Sequence, residues 1–125
     1  MSHKGKRQLT ILFKATSPAL VAEGDRLFAS HASWMAETHP REGDLALLSY
    51  EISKGVEYTN PLDPTSEPTG NTFFVLTEMY ESDAGVANHW KMGSETWPDF
   101  NAMVKWLGEC ESSVVHGCPV LHALW

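Results

Sequence analysis

Between Ser17-Pro18 and His39-Pro40 lies the segment that most limits what this chain can become. Leu20, Leu27 and Trp34 recur every seven residues, as do Val21, Phe28 and Met35, with Gly24 and His31 on the same stripe between them. That spacing puts apolar side chains on one face of an amphipathic helix of about five turns. A serine N-cap and a first-turn proline open it. A one-sided helix must lay its stripe on another element, so the segments around it decide the fold.

Before the helix, "QLTILFKAT" alternates Leu9, Ile11, Phe13 and Ala15 with Thr10, Leu12, Lys14 and Thr16, the period of a strand. After it, "GDLALLSYEIS" reads as a strand with a nearly continuous apolar start, as in a strand buried on both faces. Residues 55–71 collect Pro61, Pro64 and Pro68 and read as an irregular loop. "TFFVLTEMYE" is a third strand. Ser82 or Asp83 then caps a helical stretch that breaks around Gly93 and restarts at Trp97-Pro98, giving one broken helix or two consecutive ones. "SSVVHGCPVLHALW" gives a last strand to the chain end, with Pro119 marking an edge position or a bulge.

The order β-α-β-β-α-β predicts a ferredoxin-like split βαβ domain of the α+β class: a four-stranded antiparallel sheet with its helices on one face. Residues 1–7 are expected as a flexible basic tail and 8–125 as a single domain, since 125 residues have room for one core. Tyr50, Ile52, Phe74, Leu76, Val120 and Leu124 are assigned to the sheet's second face. So much apolar surface calls for cover, and the simplest is a homodimer through the sheet face, with two-fold symmetry making one patch serve twice.

Net charge is −7, and Lys4, Lys6 and Arg7 crowd the start, so the rest of the chain is more acidic still. That argues against nucleic acid as a partner. No stretch reaches the length of a membrane span, and "LTILF" is too short for a signal-peptide core, so a soluble cytoplasmic protein is expected. Cys110 and Cys118 are not a Cys-x-x-Cys pair and are expected to be reduced. Phosphate-loop and serine-nucleophile motifs do not occur.

The stretch "TEMYESDAGVANHW" carries the candidate chemistry. Glu78 and Tyr80 share a strand face with Phe74 and Leu76. A part-buried carboxylate there could take a phenolic proton; the alternative is a Glu78 that accepts hydrogen bonds at a helix start or a dimer seam, beside a Tyr80 that is simply packed. His89 follows Gly85 by one turn, and the missing side chain is expected to leave space beside its ring for a base or proton shuttle. The alternative is a surface or capping histidine. His31, on the first helix's stripe, is either a satisfied core residue or a pocket residue. Trp34, Trp90, Trp97 and Trp106, all on helical stretches, suit an aromatic-lined cavity, which Tyr50 and Phe100 would help to line. His116, Cys118 and His122 alternate along the last strand, but ligands from a single strand disturbed by Pro119 do not make a metal site, and no metal is expected.

"FFVLTEMYESDAGVANHW", a strand ending in Glu-x-Tyr-x-(Ser/Asp) and then a helix with Ala87 and His89, resembles the antibiotic biosynthesis monooxygenase family. "REGDLALLSYEIS" resembles that family's second strand, with Glu42-Gly43-Asp44 where Pro-Gly is usual. The resemblance covers residues 8–125 and is motif-like over 73–90. It implies a dimeric α+β barrel of two ferredoxin-like units joined sheet to sheet. It also implies a cofactor-independent monooxygenase using dioxygen on a small electron-rich aromatic of phenol or quinol type, in a pocket between helices and sheet. His89, Glu78 and Tyr80 would be its catalytic residues. A non-catalytic barrel that binds a small apolar or aromatic ligand is the alternative. Heme-degrading relatives of the fold look for an asparagine on the first strand, and "LTILFKAT" has none. The longer proline-bearing loop and the spread-out "KMGSETWPDF" depart from the family pattern. The loop is expected to reach over the partner or the pocket mouth.

Overall fold

In the computed structural model, which describes residues 2–125, the elements follow in the order β1 (Arg7–Ala15), α1 (Pro18–Thr38), β2 (Leu47–Tyr58), β3 (Pro68–Tyr80), α2 (Asp83–Thr96), α3 (Phe100–Glu109) and β4 (Glu111–Pro119). The strands form one antiparallel sheet in the order β2-β3-β1-β4. This is the ferredoxin-like split βαβ arrangement that the element order predicts. No helix among the described residues is long and apolar enough to cross a membrane.

Helix α1 starts where the Ser17 hydroxyl accepts the Leu20 N–H at 3.2 Å, with Pro18 in the first turn. It ends at His39, whose backbone turns extended ahead of Pro40. Its buried residues Gly24, Leu27, Phe28, His31, Trp34 and Met35 are the stripe read from the sequence. They pack on Leu9, Ile11, Phe13 and Ala15 of β1 and on Phe74 and Leu76 of β3, all at most 3% exposed.

Strand phase corrects one expectation. Tyr50 stands opposite Glu78, Ile52 opposite Leu76, Ile11 opposite Leu76 and Phe13 opposite Phe74, and directly paired residues share a face. Tyr50, Ile52, Phe74 and Leu76 therefore lie under the helices and not on the sheet's second face. A one-residue choice of phase moves a strand's whole apolar set between faces, and the apolar start of β2 left that choice open. Val120 and Leu124 lie beyond β4, and Leu124 is exposed. The second face instead carries Leu12, Phe73, Val75, Met79 and Val115 among Thr10, Thr77, Ser49 and Ser113. Four of the six residues that argued for a covering second copy are thus covered by the chain's own helices.

Several boundaries also move. Strands β2 and β3 run well into the expected loop, so only residues 59–67 connect them. Pro61 and Pro64 sit at the tip, and Pro68 opens β3, where its missing N–H does least harm to the ladder. The expected tail already holds the start of β1 at Arg7, and Gly5 and Lys6 exchange backbone hydrogen bonds with Val120; its Met1 lies outside the described residues. The second helical stretch is two helices, broken at Trp97-Pro98-Asp99 rather than at Gly93. Strand β4 is at the sheet edge and also bulged, since Thr10 pairs with Val115 but Gln8 with Cys118, and Gly117 supplies a φ of +68° at the extra residue. His122 falls outside the strand, which dissolves the alternating His116, Cys118 and His122 set. Both cysteines are free, Cys110 buried and Cys118 exposed.

Candidate functional site

Three elements converge between the helices and the sheet. Strand β3 presents Glu78 and Tyr80, two residues apart and therefore on one face, both fully buried. Helix α1 presents His31 and, just past its end, His39. Helix α2, capped by Ser82 accepting from the Gly85 N–H, presents His89 from its buried side. His31, His39 and His89 are each at most 8% exposed.

The hydrogen bonds fix the protons. The Thr38 hydroxyl donates to the Trp34 carbonyl at 2.7 Å, so its oxygen accepts from His39 Nδ1–H at 2.9 Å. His39 Nε2 is then a bare acceptor, and the 2.9 Å contact to His89 Nδ1 must be His89 donating. That leaves His89 Nε2 with a lone pair, 3.7 Å from Glu78 Oε1, which itself accepts the Tyr80 hydroxyl. His31 Nδ1 lies 2.8 Å from the Tyr50 hydroxyl. Glu78 Oε2 is buried with no hydrogen-bond partner among the described residues.

Burial sets the charge states. It pushes the Glu78 carboxyl up to about 8, against a smaller opposite pull from the Tyr80 hydroxyl. It pulls His89 down to about 2, helped by the neighbouring His31 and His39, and takes His31 and His39 down to about 4 each. The Tyr50 and Tyr80 phenols are raised, first by burial and then by Glu78. The Glu78–His89 contact at neutral pH is therefore a neutral acid facing a neutral base, not an ion pair, and 3.7 Å is too long for a direct hydrogen bond between them.

Stability should accordingly pass through a maximum near pH 6.5. The three histidines titrate in the unfolded chain at 6.5 and in the folded chain at about 4 or below, so their contribution is complete above 6.5 and is lost as pH falls toward 4. Glu78 works the other way: its contribution is complete below 4.5 and is lost as pH rises through 8. Between 4.5 and 6.5 three histidines outweigh one carboxyl, and above 6.5 only Glu78 acts. Urea midpoints measured from about pH 4 to 9 check this; a flat profile between 6.5 and 8 would contradict the Glu78 part.

Beside this cluster is a cavity of about 50 Å³. Its walls include His31, Trp34, His89, Trp90, Gly93, Trp97 and Phe100, with Met103, Val104 and Leu107 of α3 along one side. That space holds a few waters or a diatomic molecule. The Trp34 and Trp97 indoles already donate, to Thr96 and Ser30, whereas the buried Trp90 N–H has no partner among the described residues.

Of the residues singled out by sequence, His31, Trp34, His89, Trp90, Trp97 and Phe100 line the cavity. Glu78, Tyr80, Tyr50 and Trp106 do not. Glu78 and Tyr80 stand behind the histidines, and Tyr50 holds His31. Trp106 is core, packed on Phe13, Phe28 and Phe74 with its indole donating to the Leu20 carbonyl at 2.9 Å. Gly85 does not open space beside His89: a Cβ there would stand 3.2 Å from both the Leu45 carbonyl oxygen and the Tyr80 ring. The glycine on the cavity wall is Gly93, one turn past His89. No residue of the 59–67 connection reaches the cavity.

The sequence reading missed His39. Its available signal was a spacing of eight residues from His31, about two turns along the same helix face. No family model, curated protein or solved structure matches the chain.

Proposed function

We propose that the chain binds a small electron-rich aromatic of phenol or quinol type in this cavity and oxygenates it with dioxygen. The ring lies among Trp34, Trp90, Trp97 and Phe100, whose side chains part to admit it, and its hydroxyl meets His31 and His89. The supporting observation is that His89, on the wall of an aromatic-lined cavity, has its Nε2 left unprotonated by the chain of hydrogen bonds through His39 to Thr38. A base positioned by a second group can take the phenolic proton and leave an electron-rich anion. Dioxygen then oxidises the ring, phenol plus O2 giving quinone plus water, so the substrate supplies all the electrons. The unpartnered Trp90 N–H offers a donor to an oxygen of the ligand.

A second reading, binding without turnover, is favoured by the position of Glu78 and Tyr80 behind the cavity wall. Oxygen uptake with a panel of phenols and quinols, followed alongside quenching of tryptophan fluorescence, separates the two. Uptake with a phenol, with quinone formed in equal amount and no hydrogen peroxide, supports the oxygenase. Saturable quenching without uptake moves the assignment to the binder, and neither response sinks both.

A further inference from the structure

The cluster behind the cavity is unusual in what it lacks. His89 Nε2 is a bare acceptor, Glu78 Oε1 already accepts from Tyr80, and buried Glu78 Oε2 accepts from nothing among the described residues. One atom each from His31, Glu78 and His89 all lie within 4.8 Å of one another. Acceptors converging in a buried place without a donor call for a cation. A proton on Glu78 answers for one of them.

We propose that His31, Glu78 and His89 form a binding site for one divalent transition-metal ion of the zinc or ferrous class. Two imidazoles and one carboxylate are a donor set that such ions accept with a position left open, whereas magnesium and calcium prefer oxygen throughout. Two ligand atoms about 2.0–2.1 Å from a tetrahedral ion stand roughly 3.3–3.4 Å apart. The 3.7 Å between His89 Nε2 and Glu78 Oε1 needs a shift of only a few tenths of an ångström to reach that spacing. The ligands come from a strand and two different helices, as a chelating site requires.

The surrounding shell carries the argument further. Each of the three residues has its own outer partner: Tyr50 on His31, Tyr80 on Glu78 and His39 on His89. Such partners orient ligands and fix the tautomer of a coordinating histidine. Here the chain from Thr38 through His39 leaves His89 with Nε2, the nitrogen nearest Glu78, unprotonated. The inference goes beyond the proposed oxygenation and does not rest on it, although an ion and a phenolic proton compete for the same lone pair.

The test is calorimetric titration of chelator-treated full-length protein with Zn2+, Co2+ and Mg2+ in the absence of any aromatic. Zn2+ and Co2+ should bind at one ion per chain with release of protons, and Mg2+ should not compete. Glu78→Gln and His31→Gln should each weaken Zn2+ binding about tenfold or more, while His122→Ala leaves it unchanged. Because a core variant can fail to fold, the visible spectrum of the Co2+ form of the unaltered protein provides a second measurement. It should show nitrogen and oxygen ligation and no thiolate charge-transfer band. Absence of tight Zn2+ binding, undiminished binding in folded Glu78→Gln, or a thiolate band pointing to Cys118 each overturns the proposal. Failure of the phenol reading shows only in oxygen uptake and fluorescence, so the two failures are distinguishable.

Discussion

His89→Gln should lower turnover of a phenol or quinol by about 100- to 10,000-fold, the range over which a positioned base acts. Unfolding free energy should change by no more than about 1 kcal/mol. Glutamine is close to histidine in volume, and its amide N–H can still donate to His39 Nε2, so the Thr38–His39 chain stays satisfied while the basic nitrogen beside Glu78 is lost. Alanine is a poorer probe. His89 packs against His31, Trp34, Tyr80 and Trp90 with ring centroids 5.6–5.9 Å apart. Truncation opens a gap among those rings and strands His39 Nε2, at a cost of about 2–4 kcal/mol. Oxygen uptake and urea unfolding on the same sample separate the two effects. Turnover undiminished in a folded His89→Gln would remove His89 from the chemistry.

The fold was legible because its elements announce themselves in periods. A heptad stripe bounded by Ser17-Pro18 and His39-Pro40 admits only a long amphipathic helix, and the alternation from Leu9 to Ala15 admits only a strand. Strand phase was less legible. "LALLSY" is apolar at successive positions, so period two does not say which of its side chains meets the helices; the pairing of Tyr50 with Glu78 does. The same limit applies to the site. Glu78 and Tyr80 could be placed together because their contact is a matter of two residues on one strand. That Glu78 stands behind the cavity wall, and that His39 sets the tautomer of His89 from 50 positions away in the chain, are consequences of tertiary packing with no local signature. Gly85 shows the hazard of reading a glycine as empty space, since there it accommodates close approach of α2 to the Leu45 carbonyl and the Tyr80 ring.

Gly24→Ala should destabilise the protein by about 2–3 kcal/mol, against the ordinary expectation for a helix interior. Alanine in place of glycine at a mid-helix position gains up to about 1 kcal/mol from propensity. At position 24 that gain meets a steric wall: a Cβ would stand 2.6 Å from Trp106 Cζ2 and 2.8 and 2.9 Å from the Phe74 ring. Neither ring has room to retreat. Each is 1% exposed, they touch each other at a centroid distance of 5.5 Å, and Phe13 and Phe28 press on Trp106 from other sides. The Trp106 indole is further tied to the Leu20 carbonyl, so α3 can yield only by giving up that bond. Overpacking of this kind costs about 1–3 kcal/mol and occasionally more, and three contacts below 3.0 Å put this site at the upper end. Phe74→Leu, which removes the ring that supplies two of the three contacts, should relieve the strain. The double variant is therefore expected to be more stable than the sum of the single losses allows, by 1 kcal/mol or more on the scale of about 0.5–3 kcal/mol seen for residues in contact. Strict additivity in urea unfolding would mean that α1 shifts away from α3 to admit the methyl group, and that the close approach at Gly24 is not what holds these two helices in place.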